Sequence, residues 1–244
     1  MSILDDPGLF GRQWATKYDQ PGNPDPEPAA AFLAGLAGSG PALELAIGSG
    51  RVALPLAARG VAVEGIEASP EMVELLRGKP GGAALPVVLG DMADVAVDGS
   101  YPLVYLVFNT LFNLTVPGRQ EDCFRNVARV LAPGGRFVIE AFVPDEEQFA
   151  RDEREVQVHG VTEDSVTVRM HRYDREAQTF LRQTLTFREG GIQLRPFGMR
   201  YQWPEQIDGF AEAAGLRLEA RYADWDRGRF TAESPSHVSV YRKD

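Results

Sequence analysis

Five short runs of residues, near 42–47, 61–66, 86–90, 102–108 and 136–143, are too uniformly apolar to leave one face in water, and segments of helical spacing separate them. Strands buried on both faces belong to a parallel sheet covered by helices, so this part of the chain predicts an α/β layer fold. The helices carry their own signals. Ala29, Phe32, Leu33 and Leu36 recur at i, i+3, i+4 and i+7. Ser69, Pro70 and Glu71 supply a cap, a first-turn proline and an acid suited to the helix dipole, ahead of an inward face of Met72, Val73, Leu75 and Leu76. Cys123, Phe124, Val127 and Val130 repeat at helical spacing, which reads the single cysteine as a small core residue rather than a nucleophile. Upstream, the proline density of PGNPDPEP excludes a regular helix until Pro28.

After Pro144 the period drops to two. Val156 and Val158, then Val166, Val168 and Met170, then Leu181, Leu185 and Phe187, then Ile192 and Leu194, then Phe197, Met199, Tyr201 and Trp203 alternate with polar residues, and Gly190-Gly191 marks a hairpin. These are antiparallel strands, expected to cover the active site, to pair with a second subunit as a homodimer, or both. Helical spacing returns at Ile207, Phe210, Ala211 and Ala214, and two more strands follow at 216–223 and 236–242.

The turn after the first apolar run carries the chemistry. ALELAIGSGRVA places Gly48, Ser49 and Gly50 between a strand and a helix, where glycines tolerate positive φ and let backbone N–H groups approach a ligand. Gly48-x-Gly50-x-x-Ala53 also fits a dinucleotide fingerprint. Glu44, just before the turn, would repel a pyrophosphate and attract the ammonium and sulfonium of S-adenosylmethionine (SAM). Glu67, seventeen residues after Gly50 at the end of VAVEGIEAS, can accept both ribose hydroxyls. In VVLGDM, Asp91 can accept from an adenine amino group while Met92 packs on the ring. Gly48, Glu67, Asp91 and Asn109 all fall at carboxyl ends of predicted strands, where open α/β sheets bind cofactors.

With ELAIGSG, GIEAS, GDM and LAPGG in this order, the chain resembles the class I SAM-dependent methyltransferases, and VYLVFNTLFNL followed by CFRNVARVLAPGGRFVIEAFVP looks like actinobacterial small-molecule methyltransferases. Some relatives of that kind N-methylate nucleotide-linked amino sugars. The resemblance implies a Rossmann-like sheet with helices on both faces and an antiparallel β insertion after the fifth strand. It divides the chain into a cover and SAM-binding core over residues 1–150, the insertion over 151–203 and a completing segment over 204–244. It implies SAM as cofactor, with S-adenosylhomocysteine (SAH) as product, held by Tyr18, Glu44, Gly48, Gly50, Glu67, Ala68, Asp91, Met92 and Phe108. Relatives often place a tyrosine from the N-terminal segment near the donor, and Tyr18 is the residue expected in that role.

Methyl transfer is an in-line displacement that needs alignment and exclusion of water more than a base. Acceptor-side candidates are Asn109, Phe112, Asn113 and Glu140 at the ends of the fourth and fifth strands. Glu140, His171 and Tyr18 are the candidate catalytic groups, Glu140 as a base or amine ligand and His171 as a base on the polar side of an insertion strand. The structural alternatives are an arginine pair for Glu140, a surface position for His171 and a packing anchor for Tyr18.

The three histidines, at 159, 171 and 237, lack the spacing and companions of a metal site, and one cysteine allows no intrachain disulfide. A formal net charge of -10 disfavours nucleic acid and anionic lipid. Arg169, Arg172, Arg175 and Arg182 alternate with acids and read as a solvated face of the inserted sheet. MSILDDPGLFGRQW lacks a basic region followed by a long apolar one, and no run reaches membrane-spanning length, so a cytoplasmic chain is expected. The leading function is a SAM-dependent methyltransferase acting on an amine or hydroxyl of a small metabolite, such as a natural-product or sugar-nucleotide intermediate. The alternatives are an NAD(P)-dependent reductase, opposed by Glu44, LAPGG and the lack of a Tyr-x-x-x-Lys pair, and a SAM-binding module without catalysis.

Overall fold

A computed structural model describes residues 2–19, 23–38, 40–145 and 154–244. Seven strands form the main sheet: β1 (Ala42–Leu45), β2 (Val63–Glu67), β3 (Val87–Leu89), β4 (Tyr101–Leu106), β5 (Leu131–Phe142), β10 (Leu216–Tyr222) and β11 (Ser236–Lys243). Their order is β10-β11-β5-β4-β1-β2-β3. The first five pair in parallel, whereas β11 runs antiparallel to both β5 and β10. From β1 the chain winds outward through β2 and β3, then crosses to β4 and β5 on the other side. The order therefore reverses between β1 and β4, and a crevice opens beyond their carboxyl ends.

Helices α2 (Glu27–Ala37) and α3 (Ala53–Ala58) cover one face of this sheet, and α5 (Arg119–Val130) and α6 (Pro204–Ala213) the other. Phe32, Leu33 and Leu56 are buried on the first side, Cys123, Phe124, Val127 and Ile207 on the second. Each of the buried Phe, Leu, Ile and Val side chains contributes about 1.5–3 kcal/mol through burial. Ser69 caps α4 (Pro70–Arg77) by accepting from the Met72 N–H at 3.3 Å. α1 (Leu9–Tyr18) lies outside both cores and packs on α4, where Gly11 lets the two helices touch: a Cβ at that position would collide with Ser69.

β6 (Arg154–Val161), β7 (Ser165–Asp174), β8 (Thr179–Arg188) and β9 (Gly191–Arg200) form a separate antiparallel sheet in that order. The 150/151 boundary assigned from sequence lies outside the described residues. The alternation came out as expected, but its polarity is reversed. Across the outer face run Val158, Val168, Leu185 and Leu194 in register, with Val161, Val166, Phe187 and Ile192 in the next row. Val158, Ile192 and Leu194 are 68%, 64% and 58% exposed. Arg169 and Arg182, expected on a solvated face, share the inward face with Tyr173, Phe180 and Phe197, which pack against the main core. Arg172 and Arg175 are exposed.

Among the described residues no helix is long and apolar enough to cross a membrane, and no group of three or more His, Cys, Asp or Glu side chains is placed to hold a metal ion.

Candidate active site

A cavity of about 320 Å³ opens at the carboxyl ends of β1, β2 and β4 and is roofed by the N-terminal segment and the four-stranded sheet. On the core side its wall includes Ala46, Gly48, Arg51, Glu67, Ala68, Met72, Asp91, Met92, Phe108 and Asn113. From the roof come Phe10, Trp14 and Tyr18 of α1, Arg182 of β8, and Phe197 and Met199 of β9.

Backbone conformation shapes the core side. Ala46 and Gly48 have φ of 53° and 56°, and a Cβ at Gly48 would stand 3.2 Å from Met72 Cε, in the space open to a ligand. Gly50 serves a different purpose. It does not line the cavity, and at φ 76° its missing Cβ makes room for Leu76 and Leu54. Thus one glycine of the motif clears ligand space and the other lets the turn pack on α4.

Glu67 organises this turn. Its carboxylate accepts the Gly48 N–H at 2.8 Å and the Ser69 N–H at 2.9 Å, leaving lone pairs for further donors such as ribose hydroxyls. Burial raises its pKa, while these backbone donors oppose the rise. Asp91 accepts from the Ala93 N–H at 2.8 Å and is paired with Arg119 at 3.0 Å, which fixes the carboxylate beside Met92 on the cavity wall.

Phe108 and Asn109 are consecutive non-glycine residues with φ of 57° and 61°. Such conformations cost of order 1–3 kcal/mol each and persist only where surroundings impose them. Glu140 imposes this one. Its side chain accepts the Phe108 N–H at 2.9 Å, its carbonyl accepts the Asn109 N–H at 3.2 Å, and Asn109 Oδ1 accepts the Phe142 N–H at 2.6 Å. The other Glu140 oxygen accepts from Trp225 Nε1 at 2.9 Å. Strain at the end of β4 thereby turns the Phe108 ring into the cavity.

Arg51, an unassigned position of the glycine motif, lies on that ring with its guanidinium carbon 3.4 Å from the centroid. Its Nε and Nη1 are buried and lack hydrogen-bond partners. Those orphaned donors suit a carboxylate such as that of the methionyl end of SAM, and together with the Gly48 cradle and Glu67 they fit an adenosyl sulfonium with an amino-acid tail. The only sequence signal for Arg51 is its place directly after Gly50.

The roof is latched to the turn. Ser49 donates to Asp19 at 2.8 Å, and Lys79 bridges Asp19 at 2.8 Å and the Ser49 hydroxyl at 2.9 Å. This holds Tyr18 over the site, 5.7 Å from the Arg51 guanidinium and edge-on to Phe10. Burial raises the Tyr18 pKa, so its phenol stays protonated and can donate a hydrogen bond. Trp14, also missed from sequence, lines the cavity from the next turn of α1.

The structure therefore brings Tyr18, Gly48, Glu67, Ala68, Asp91, Met92, Phe108 and Asn113 together around one space, and keeps five other candidates besides Gly50 off its wall. Glu44 is buried beneath the turn, accepting from the Tyr105 hydroxyl at 2.9 Å and from the Ala53 N–H. Burial, reinforced by Glu67, pushes its pKa up to about 8, so at neutral pH it is largely uncharged beneath the turn. Phe112 is a core residue against Phe142, ring centroids 4.9 Å apart. Asn109 and Glu140 hold the strained strand end described above. Glu140 thus has backbone and indole partners where an arginine was the structural expectation. His171 faces inward on β7, stacked on Tyr173 with centroids 6.1 Å apart, but does not reach the wall.

The geometry has counterparts among known proteins. A methyltransferase-domain profile matches residues 42–135, the stretch from β1 to the start of β5. The solved CcbJ methyltransferase of Streptomyces caelestis is 39% identical, covering 98% of this chain and 99% of that one, with a TM-score of 0.87. A SAM-bound amino pentose methyltransferase of Micromonospora echinaspora, involved in calicheamicin biosynthesis, shares the fold at 21% identity, with a TM-score of 0.70 and coverage of 95% and 97%. The cypemycin N-terminal methyltransferase of a Streptomyces species is 25% identical over 203 residues, 82% of each chain.

Proposed function

The chain belongs to the class I SAM-dependent methyltransferases, and from that premise we propose that it methylates an amine of a small acceptor bound between the core and the four-stranded sheet. Bound SAM supplies an electrophilic methyl carbon and a neutral thioether leaving group. Gly48, Glu67, Asp91 and Met92 hold the nucleoside, Arg51 holds the amino-acid carboxylate, and the latched α1 excludes water. Alignment of this kind supplies up to about 7–11 kcal/mol in favourable cases.

The observation that carries the nitrogen assignment is the chemistry of the wall. Asn113 Oδ1 is buried there without a hydrogen-bond partner, and among the described residues the wall holds neither histidine nor lysine. Among the same residues its titratable oxygens are a phenol whose pKa burial has raised, and carboxylates already engaged by backbone N–H groups or arginine. An unactivated hydroxyl acceptor needs a strong base. A neutral amine needs only an acceptor for its N–H, which Asn113 offers, and its lone pair attacks without prior deprotonation. The name of the cypemycin N-terminal methyltransferase supports the same atom.

Incubating the chain with labelled SAM and a metabolite extract should give a small labelled product whose fragment mass places the methyl on nitrogen. A label found on oxygen would overturn the nitrogen assignment. Label confined to macromolecules would overturn the small acceptor, and SAM binding with no turnover would favour the module without catalysis.

The outer face of the four-stranded sheet calls for a partner, and we infer a second copy of the chain. Four strands of about nine residues span roughly 600 Å² at ordinary strand spacing and rise, so a two-fold pairing of this face buries about 1,200 Å² in total, the lower bound for a specific interface. Sedimentation should show a dimer that Leu185→Glu dissociates. A wild-type monomer at micromolar concentration would refute the pairing.

A further inference from the structure

The inward face of the four-stranded sheet concentrates positive charge that has no ion-pair partner among the described residues. Arg169 of β7, Thr184 of β8 and Arg195 of β9 stand side by side in register, and Arg182 occupies the next inward row, opposite Phe197. Among the described residues none of the three arginines forms an ion pair, although the chain has 35 acids against 25 lysines and arginines. Other arginines do find acids. Arg119 meets Asp91 and Asp94, Arg136 meets Glu219, and Arg221 meets Asp208. Grouping like charges in a partly buried place is unfavourable unless another charge completes the group.

One donor is spent, Arg195 Nη2 on Gln193 Oε1 at 2.8 Å, and others are poised. Nε of Arg169, Arg182 and Arg195 is in each case buried without a hydrogen-bond partner, and so is the hydroxyl of Thr184, a residue 4% exposed. Aromatic rings fix the guanidinium groups from one side. Arg182 lies 4.5 Å over Phe197, and Arg195 lies 5.4 Å over Trp14. Burial lowers the pKa of Arg169 and Arg182, and the charge of Arg169 adds to the effect on Arg182. Burial and both these arginines also hold His159 low, so the positive field reaches β6.

We propose that Arg182, backed by Arg169, Arg195 and Thr184, binds an oxyanion carried by the methyl acceptor, a carboxylate or a phosphoryl group. The planar fork of arginine matches either group through paired N–H donors. Arg182, Phe197 and Trp14 share one cavity with Gly48 and Glu67, so an anion held there is tethered to a molecule that also reaches the donor. Arg51 already offers a separate cationic pole beside Phe108 for the donor's own carboxylate. The sheet arginines are left to the acceptor. This inference rests on the methyltransferase reading and specifies the substrate class for that site.

The test is calorimetric titration of the full chain loaded with SAH, using inorganic pyrophosphate as the phosphoryl probe and N-acetylglycine as the carboxylate probe. One or both should bind, and whichever binds more tightly identifies the kind of oxyanion. Arg182→Met should weaken that probe by about tenfold or more, the loss expected for a charge-assisted pair, while SAH affinity changes less than about twofold. Its thermal midpoint should hold or rise, because a buried unpaired charge has been removed. Arg169→Gln, further from the cavity, should weaken the probe to a smaller extent. Absence of binding by both probes to the loaded wild type, or binding that survives Arg182→Met undiminished, would overturn the oxyanion site and leave SAH binding intact. Failure of SAH itself to bind would instead overturn the methyltransferase reading.

Discussion

The two sheets of this molecule use hydrophobic pattern in opposite senses. In the main sheet, apolar side chains on both faces of β1 and β4 make the core, and polar residues gather at the strand ends, where they meet the cavity. In the four-stranded sheet the apolar row faces out, while arginine, histidine, threonine and aromatic residues face in. The first arrangement makes a stable frame with chemistry at its rim. The second makes a roof whose inner surface is itself polar and whose outer surface is an exposed apolar row. If the division is functional, changes at the main-sheet rim alter donor affinity and changes on the roof alter acceptor handling.

The largest expected effect is on the main-sheet side. Gly48→Val places a branched side chain at φ 56° in ligand space, and SAH affinity should fall by about 100-fold or more with the fold retained. Gly50→Val should act otherwise, because its Cβ meets Leu76 and Leu54 rather than the cavity. Overpacking of that kind should lower stability by about 1–3 kcal/mol in denaturant titrations. Equal loss of SAH affinity at matched stability would erase the distinction between the two glycines.

Glu67→Ala comes next, at about 1.5–3 kcal/mol of SAH affinity, the worth of hydrogen bonds to a charged group. Because the carboxylate also holds the Gly48 and Ser69 N–H groups, Glu67→Gln should recover part of the loss by keeping one acceptor oxygen. Unchanged affinity in Glu67→Ala would remove the ribose role.

A smaller effect concerns what lies beneath the rim. Burial lifts Glu44 from an ordinary 4.5 to about 8, so the folded chain holds this proton more tightly than the unfolded one. A raised pKa contributes stability that is complete below the unfolded value and is lost as pH rises through the folded value. Between about pH 5 and pH 8 the wild type should therefore lose stability relative to Glu44→Gln, by at least about 1 kcal/mol. Parallel stability profiles for the two proteins would mean that Glu44 is ionised in the fold.

How much of this was legible in the sequence follows from the same contrast. Continuous apolar runs and the glycine turn located β1 to β5 and the strand-end positions of Gly48, Glu67, Asp91 and Met92, because local pattern and tertiary burial agree there. Alternation in the insertion located its strands but not its inner face. Period two says that the faces differ, not which one meets the core. Glu140 and Asn109 sat at the expected strand ends, yet no pattern revealed that strain at Phe108 would claim their hydrogen bonds. Arg51 belongs to no periodic set, so only folding brings it to the cavity, whereas Trp14 shares the i, i+4, i+8 stripe of Phe10 and Tyr18 that α1 turns to the site.

The smallest expected effect tests the roof. His171 was a candidate base on the polar side of its strand, and the structure does turn it inward, but beside Arg182 in the register rather than onto the cavity wall. A side chain off the cavity wall is poorly placed to take a proton from the acceptor, and an amine acceptor has no need of a base before attack. His171→Ala should therefore change kcat less than about threefold, far below the 100-fold or greater loss typical of a removed general base. The shape of the pH–rate profile decides the matter more sharply than the rate. If kcat drops by about 100-fold and a limb of the profile disappears with the imidazole, His171 reaches the reacting nitrogen in the complex, and the inner face of the roof takes part in the chemistry as well as in binding. An unchanged profile combined with a raised acceptor KM would leave His171 as a positioning residue for Arg182.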